Sequence, residues 1–126
     1  MSDTIINTKY APAPIGPYNQ AVLAGGFLFI SGQIALVPGT PDLANGSIED
    51  ETRQVMNNLK AILQAANLQF SHVVKTTIFL SDMSLFGEVN DIYATYFTGN
   101  YPARETVAVK GLPKNVNVEI SMIAAK

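Results

Sequence analysis

No cysteine occurs among the 126 residues, which excludes disulfides and thiolate metal sites. Histidine is nearly absent as well: His72 stands alone, so one chain cannot build a multi-histidine metal site. Charge is scarce. Asp, Glu, Lys and Arg make up 14% of the chain, against roughly 25% in average soluble domains. A monomer this small needs more polar surface than that, which points to a second buried face. The net charge is −2, the pI is about 5.2, and no Lys/Arg cluster is present. Nothing here favours phosphate neutralisation, so no nucleic-acid partner is expected. No apolar run approaches the ~20 residues needed to span a bilayer. Met1 to Thr4 carries no basic segment followed by an apolar stretch, so no secretory signal is expected either. These absences predict a soluble, cytoplasmic protein with no membrane partner, forming one domain over residues 1–126.

What is present reads as alternating strands and helices. Thr4 to Asn7 predicts a short strand. Ala11 to Pro17 holds three prolines, at 12, 14 and 17, and reads as an extended loop. Asn19 to Ala24 and Phe27 to Ser31 predict two strands joined by a Gly25-Gly26 hairpin turn. Those glycines lack the Gly-x-Gly-x-x-Gly pattern that opens a phosphate-binding helix. Ala35 to Gly46 reads as a surface loop. Ser47 is placed to cap a helix from Ile48 to Ala66, with Glu49, Asp50 and Glu51 in its first turn and an apolar stripe at helical spacing. Val73 to Leu80 is β-branched and strand-like. Asp82 or Ser84 is placed to cap a second helix, whose stripe runs Phe86, Val89, Ile92, Tyr93, Tyr96 and Phe97 before Gly99-Asn100 stops it. Two more strand-like runs follow, one beginning near Arg104 and one carrying Glu119. The order predicts an α/β (α+β) fold with a mixed sheet of about six strands and two helices on one face. Phe27 to Ile30 and Ile78 to Leu80 are apolar at successive positions, which implies burial on both sides of the sheet and therefore an oligomer.

Candidate chemistry concentrates near the C-terminus. Arg53 and Arg104 are the only arginines. Arg53 lies among acidic neighbours and reads as a surface charge. Arg104 suits either a surface ion pair or a clamp that holds one carboxylate through two parallel hydrogen bonds. Glu119 alternates against Val116, Val118, Ile120 and Met122, and is either solvent-facing or buried with a function. If the Arg104 and Glu119 runs pair as a hairpin across Lys110 to Asn115, both charges reach one pocket. Tyr18 ends a Pro-Ile-Gly-Pro turn, Ser31 and Gly32 end a strand, and Asn90 interrupts an apolar helix face. Each suits a pocket wall or a structural hydrogen bond. His72 reads as a loop residue.

Six segments in order carry a resemblance. They are Ala13-Pro14-Ile15-Gly16-Pro17-Tyr18-Asn19-Gln20-Ala21, Phe29-Ile30-Ser31-Gly32-Gln33-Ile34, Gln54-Val55-Met56-Asn57-Asn58-Leu59, Asp82-Met83 with Val89-Asn90, Tyr101-Pro102-Ala103-Arg104, and Val118-Glu119-Ile120. Nearly end to end, the chain resembles the Rid family of reactive-intermediate deaminases, also called YjgF-like. The resemblance implies a chorismate-mutase-like fold and a homotrimer with three ligand clefts between subunits. It also implies hydrolysis of short-lived 2-imino acids and their enamine tautomers to 2-keto acids and ammonia, with no cofactor and no metal. Carried over, Arg104 would clamp the substrate carboxylate and Glu119 would activate water, kept ionised by the nearby guanidinium. Tyr18, Ser31 and Gly32 would line the cleft, and Asn90 would support its wall. Thr106 stands where the deaminase branch commonly has cysteine; as a substrate-binding position it would still offer its backbone groups to ligand or water, but thiol chemistry is unavailable there. The alternative function is a non-catalytic regulatory protein that binds keto acids or related metabolites in the same cleft. RNA cleavage and translation inhibition, also attached to the family, fit the acidic chain least.

Overall fold

A computed structural model describes residues 4–126; the N-terminal residues read for a secretory signal fall partly outside that range. Among the described residues six strands and two α-helices follow in order: β1 (Thr4–Ile6), β2 (Ala21–Ala24), β3 (Phe27–Gln33), α1 (Ile48–Ala65), β4 (Val73–Leu80), α2 (Phe86–Ala94), β5 (Ala103–Ala108) and β6 (Val118–Ala125). The sheet order is β1-β2-β3-β6-β4-β5, mixed as expected: β4 and β5 run parallel and every other pairing is antiparallel. Gly25 and Gly26 both take positive φ, the conformation a tight β2–β3 hairpin demands and one that costs glycine least.

The local signals act as their chemistry predicts. Ser47 accepts a hydrogen bond from the Asp50 N–H at 3.0 Å and opens α1. Val55, Met56, Leu59, Ile62 and Leu63 are buried along one stripe. They pack on Leu28, Ile30, Ile78, Leu80, Ile120 and Met122, so the core lies between the helices and one face of the sheet. Burying each such side chain contributes about 1.5–3 kcal/mol. The second helix is shorter than its apolar stripe. Asp82 caps a single 3-10 turn, Met83–Leu85, and α2 ends at Ala94. Tyr96 and Phe97 then continue through i→i+3 bonds to Tyr93 and Ala94, a tighter winding common at helix ends. Tyr93 donates to the Thr76 hydroxyl at 2.9 Å and fastens α2 to β4.

Two expectations are corrected. The Arg104 and Glu119 strands do not form a hairpin. Strand β4 lies between them, with β5 at the sheet edge. The reason is burial: β4 contributes Thr76, Ile78 and Leu80 to the core, whereas β5 carries Arg104 and Glu105, charges that an edge strand tolerates. The segment from Ala35 to Gly46 is also not purely a surface loop. Ala35 and Leu36 are buried, and Ile34, Leu36 and Val116 form a second small apolar cluster.

On the other face of the sheet Ile5, Phe27, Phe29 and Val107 are 45–48% exposed among the described residues. Burial alternates residue by residue along β6, with Val118, Ile120, Met122 and Ala124 turned to the helices.

Candidate functional site

Cross-strand register decides where the two charged candidates point. Ile78 pairs with both Thr106 and Ile120, so these three side chains share the helix-covered face. Arg104 is two residues before Thr106 and shares that face. Phe79 pairs with Val107 and Glu119, which therefore occupy the open face. Within one chain the guanidinium and the carboxylate stand on opposite sides of the sheet. The single pocket expected for both is replaced by two separate half-sites.

The first half-site is a cavity of about 360 Å³ lined by Asn90, Tyr93, Ala94, Tyr101, Pro102 and Arg104. The Arg104 guanidinium lies 5.1 Å from the Tyr93 ring centroid and 5.6 Å from that of Phe86. Two aromatic faces hold the cation without neutralising it. The ion pairs among the described residues, Arg53 with Glu49 and Lys75 with Glu105, leave Arg104 without a carboxylate partner. Asn90 joins this cavity as expected of a wall residue. Thr106 is half-buried beside it, and its hydroxyl oxygen is enclosed with no hydrogen-bond partner.

The second half-site is a small concavity of about 50 Å³ between the proline-rich strap and the start of β6, walled in part by Pro12, Ile15, Tyr18, Gly32, Pro113 and Glu119. The Glu119 carboxylate lies directly over Gly32. A Cβ at position 32 would come 2.9 Å from Cδ of Glu119 and closer still to Oε2. The register shift between Ile30 and Gln33 opens β3 at this point. Burial raises the Glu119 pKa above its ordinary 4.5, and among the described residues no cation or hydrogen bond opposes it. The expectation that Arg104 keeps Glu119 ionised is therefore corrected for the single chain. The Tyr18 hydroxyl accepts from the Ile15 N–H at 3.2 Å, bracing the strap. Ser31 commits its hydroxyl to the Asn19 carbonyl at 2.6 Å.

Three buried polar residues position these walls and were not singled out by sequence reasoning. Gln20 accepts from the Thr8 N–H at 2.7 Å and donates to the carbonyls of Thr8, Ala11 and Pro12, which pins the strap. Asn58 donates to the carbonyls of Ile34 and Leu36 at 3.1 and 2.9 Å. Glu51 accepts from the backbone N–H groups of Asn117 and Val118 at 2.7 and 2.9 Å, holding the chain just before Glu119. A usable signal existed: Glu51, Val55, Asn58 and Ile62 fall on one helical stripe, and polar groups inside an apolar stripe need buried partners. His72, by contrast, serves locally, its Nδ1 accepting from the Gln69 N–H at 3.0 Å. No group of three or more metal-ligating side chains is found among the described residues, and no helix is long and apolar enough to cross a membrane.

The fold is α+β, and among the described residues Arg104 has no carboxylate partner at one concavity and Glu119 has no cation at the other, an arrangement that makes the two a candidate site for a small polar ligand. Residues 8–126 match the family described as Endoribonuclease L-PSP. A rat protein named 2-iminobutanoate/2-iminopropanoate deaminase is 47% identical over 122 residues, 97% of this chain and 89% of its own length. A Yersinia pestis structure described as a protein of unknown function of the conserved Rid family superposes with a TM-score of 0.96 at 48% identity, covering 99% of this chain and 100% of that one. An E. coli TdcF structure with bound serine gives a TM-score of 0.93 at 39% identity, covering 98% of each chain. The chain belongs to the L-PSP family, whose members also carry the names RutC, YjgF and Rid.

Proposed function

We propose that this protein hydrolyses reactive 2-imino acids and their enamine tautomers, of the 2-aminoacrylate and 2-iminobutanoate class, to 2-keto acids and ammonia. The reaction takes place in clefts completed between copies of the chain, assembled as a homotrimer. One copy supplies Glu119, Tyr18 and Gly32. Its neighbour supplies Arg104, Asn90 and the segment around Thr106. The observation that carries this reading is the separation itself. Among the described residues Arg104 has no carboxylate partner and Glu119 no cation, yet each lies at a concave surface, and the apolar sheet face that would bring copies together is exposed. The count of three follows the family resemblance. Relatives named as imine deaminases, and one that binds serine, support an amino-acid-sized ligand bearing a carboxylate.

The chemistry asks little of the protein. An imine carbon is already electrophilic, more so when the nitrogen is protonated. Arg104 grips the substrate carboxylate through two parallel hydrogen bonds and fixes the C=N carbon in place. Glu119 takes a proton from water as the oxygen attacks that carbon. The resulting carbinolamine loses ammonia and leaves the keto acid. General-base help of this kind is worth ~10²–10⁴-fold.

The test is a coupled assay in which a threonine dehydratase generates the imine and semicarbazide competes for it. Arg104→Ala is expected to abolish turnover and weaken keto-acid binding. Glu119→Gln is expected to slow turnover by ~10²-fold or more while 2-ketobutyrate still binds. Wild-type rates in both variants overturn the mechanism. Binding of 2-ketobutyrate with no acceleration of imine loss by the native protein favours the regulatory metabolite-binding alternative instead. The ribonuclease description carried by the family model finds no support in this chain's acidic balance; tight, strongly salt-dependent RNA binding would restore it.

A further inference from the structure

We propose that the groove between the C-terminal end of α1 and the segment after α2 is a second ligand site, suited to a small aromatic acid, whose occupant acts on Arg104 through Phe97. The groove encloses about 590 Å³ and is larger than either half-site. That volume is in the range of clefts that take small molecules, roughly 300–1,000 Å³. Leu63 and Leu68 form part of its lining, and the half-buried rings of Phe70, Tyr96 and Phe97 offer flat apolar surfaces to it. Lys60 is the single charged residue on its lining, is exposed, and has no ion-pair partner among the described residues. Flat rings select a planar ligand body, and one unneutralised ammonium selects one negative charge. The groove is lined by the C-terminal part of α1 and the segment after α2, away from the exposed apolar sheet face.

The groove and the Arg104 cavity share an aromatic wall. Phe70 packs edge-on against Tyr96 and Phe97, with centroids 5.6 and 5.5 Å apart. Phe97 lies 4.9 Å from Tyr93 and 6.0 Å from Tyr101, and both of those tyrosines line the Arg104 cavity. Tyr93 is 3% exposed and sits beneath the guanidinium at 5.1 Å. In a close-packed row of rings, a ligand that tilts Phe97 moves Tyr93 and with it the cation. The binding step stands on its own; only its consequence for turnover rests on the deaminase reading.

The test titrates phenylacetate, an aromatic acid without an oxo group, into the assembled protein and follows resonances of Lys60, Phe70, Phe97 and the Arg104 Nε–H by NMR. Saturable shifts are expected at the groove residues in the native protein and equally in Arg104→Ala. Lys60→Glu, a surface charge reversal, should weaken them about tenfold. Ser71→Trp, which fills the groove, should remove them. In the native protein the Arg104 Nε–H signal should move with the same midpoint. The site is overturned if no saturable shift occurs, if the shifts vanish in Arg104→Ala, or if Lys60→Glu leaves them unchanged. Saturable groove shifts with a stationary Arg104 signal overturn the coupling. Because no readout depends on turnover, failure here is distinguishable from failure of the deaminase reading.

Discussion

Gly32 leaves room for one carboxylate and little else. A methyl group there would occupy the space of Glu119 Oε2, and the side chain would have to swing aside. The backbone at Gly32 is not in the left-handed region, so alanine itself is tolerated. Gly32→Ala is therefore expected to fold with near-native stability and to lower kcat at least about tenfold, with a smaller change in KM, because it displaces the base and leaves the carboxylate clamp alone. Native kcat in this variant would show that the observed Glu119 rotamer is not the working one. Protonation gives a second handle on the same residue. Burial favours the neutral acid, so the folded-state pKa lies above 4.5. A general base must be ionised, so its contribution is fully present above that raised pKa and is lost as pH falls through it. The acid limb of the pH–rate profile is expected above 4.5 and should flatten in Glu119→Gln. An acid limb below 4.5 would mean that a neighbouring copy's Arg104 outweighs desolvation.

At the scale of elements, Glu51 ties the first helix to the last strand. Its carboxylate receives two backbone N–H groups and the Asn117 side chain, and the residue is fully buried. Glu51→Ala orphans those donors and is expected to cost about 3 kcal/mol of stability, read from urea unfolding. A loss under about 0.5 kcal/mol would show that water replaces the carboxylate. Element existence was legible in the chain because it rests on local chemistry: the Ser47 cap, the Gly25-Gly26 turn, and the alternation around Glu119. The end of α2 was not, because Tyr96 and Phe97 keep helical spacing while the backbone has already tightened. Glu51 was legible as a polar group on an apolar stripe, but its partners were not. In the sequence it reads as a first-turn acid favourable to the helix dipole, and its partners are 66 and 67 residues away.

At the scale of the whole molecule, the sheet face opposite the helices is apolar and exposed among the described residues. Phe27 and Phe29 lie on it in the interior strand β3, opposite Ala125 and Ile123 of β6, with their rings tilted against each other at 6.4 Å. Phe29→Asp places a charge in that face without touching the core beneath the helices. It is expected to lower the mass measured by light scattering toward that of one chain, to retain the helical circular-dichroism signal, and to abolish imine turnover together with assembly. Full activity in a monomeric Phe29→Asp protein would show that one chain holds a complete site, against the division of Arg104 and Glu119.

The sequence by itself determined the kinds of element, their order and the caps, because these rest on local chemistry; few charges and strands apolar at successive positions also pointed to a second buried face. It also carried the residues by which the family is recognised. Only the tertiary structure decided that β4 lies between β5 and β6, in a register that turns Arg104 and Glu119 opposite ways. Period-two alternation assigns each side chain to a face relative to its own strand. It says nothing of how two strands separated by a third are registered, because that register is set by long-range pairing across the sheet.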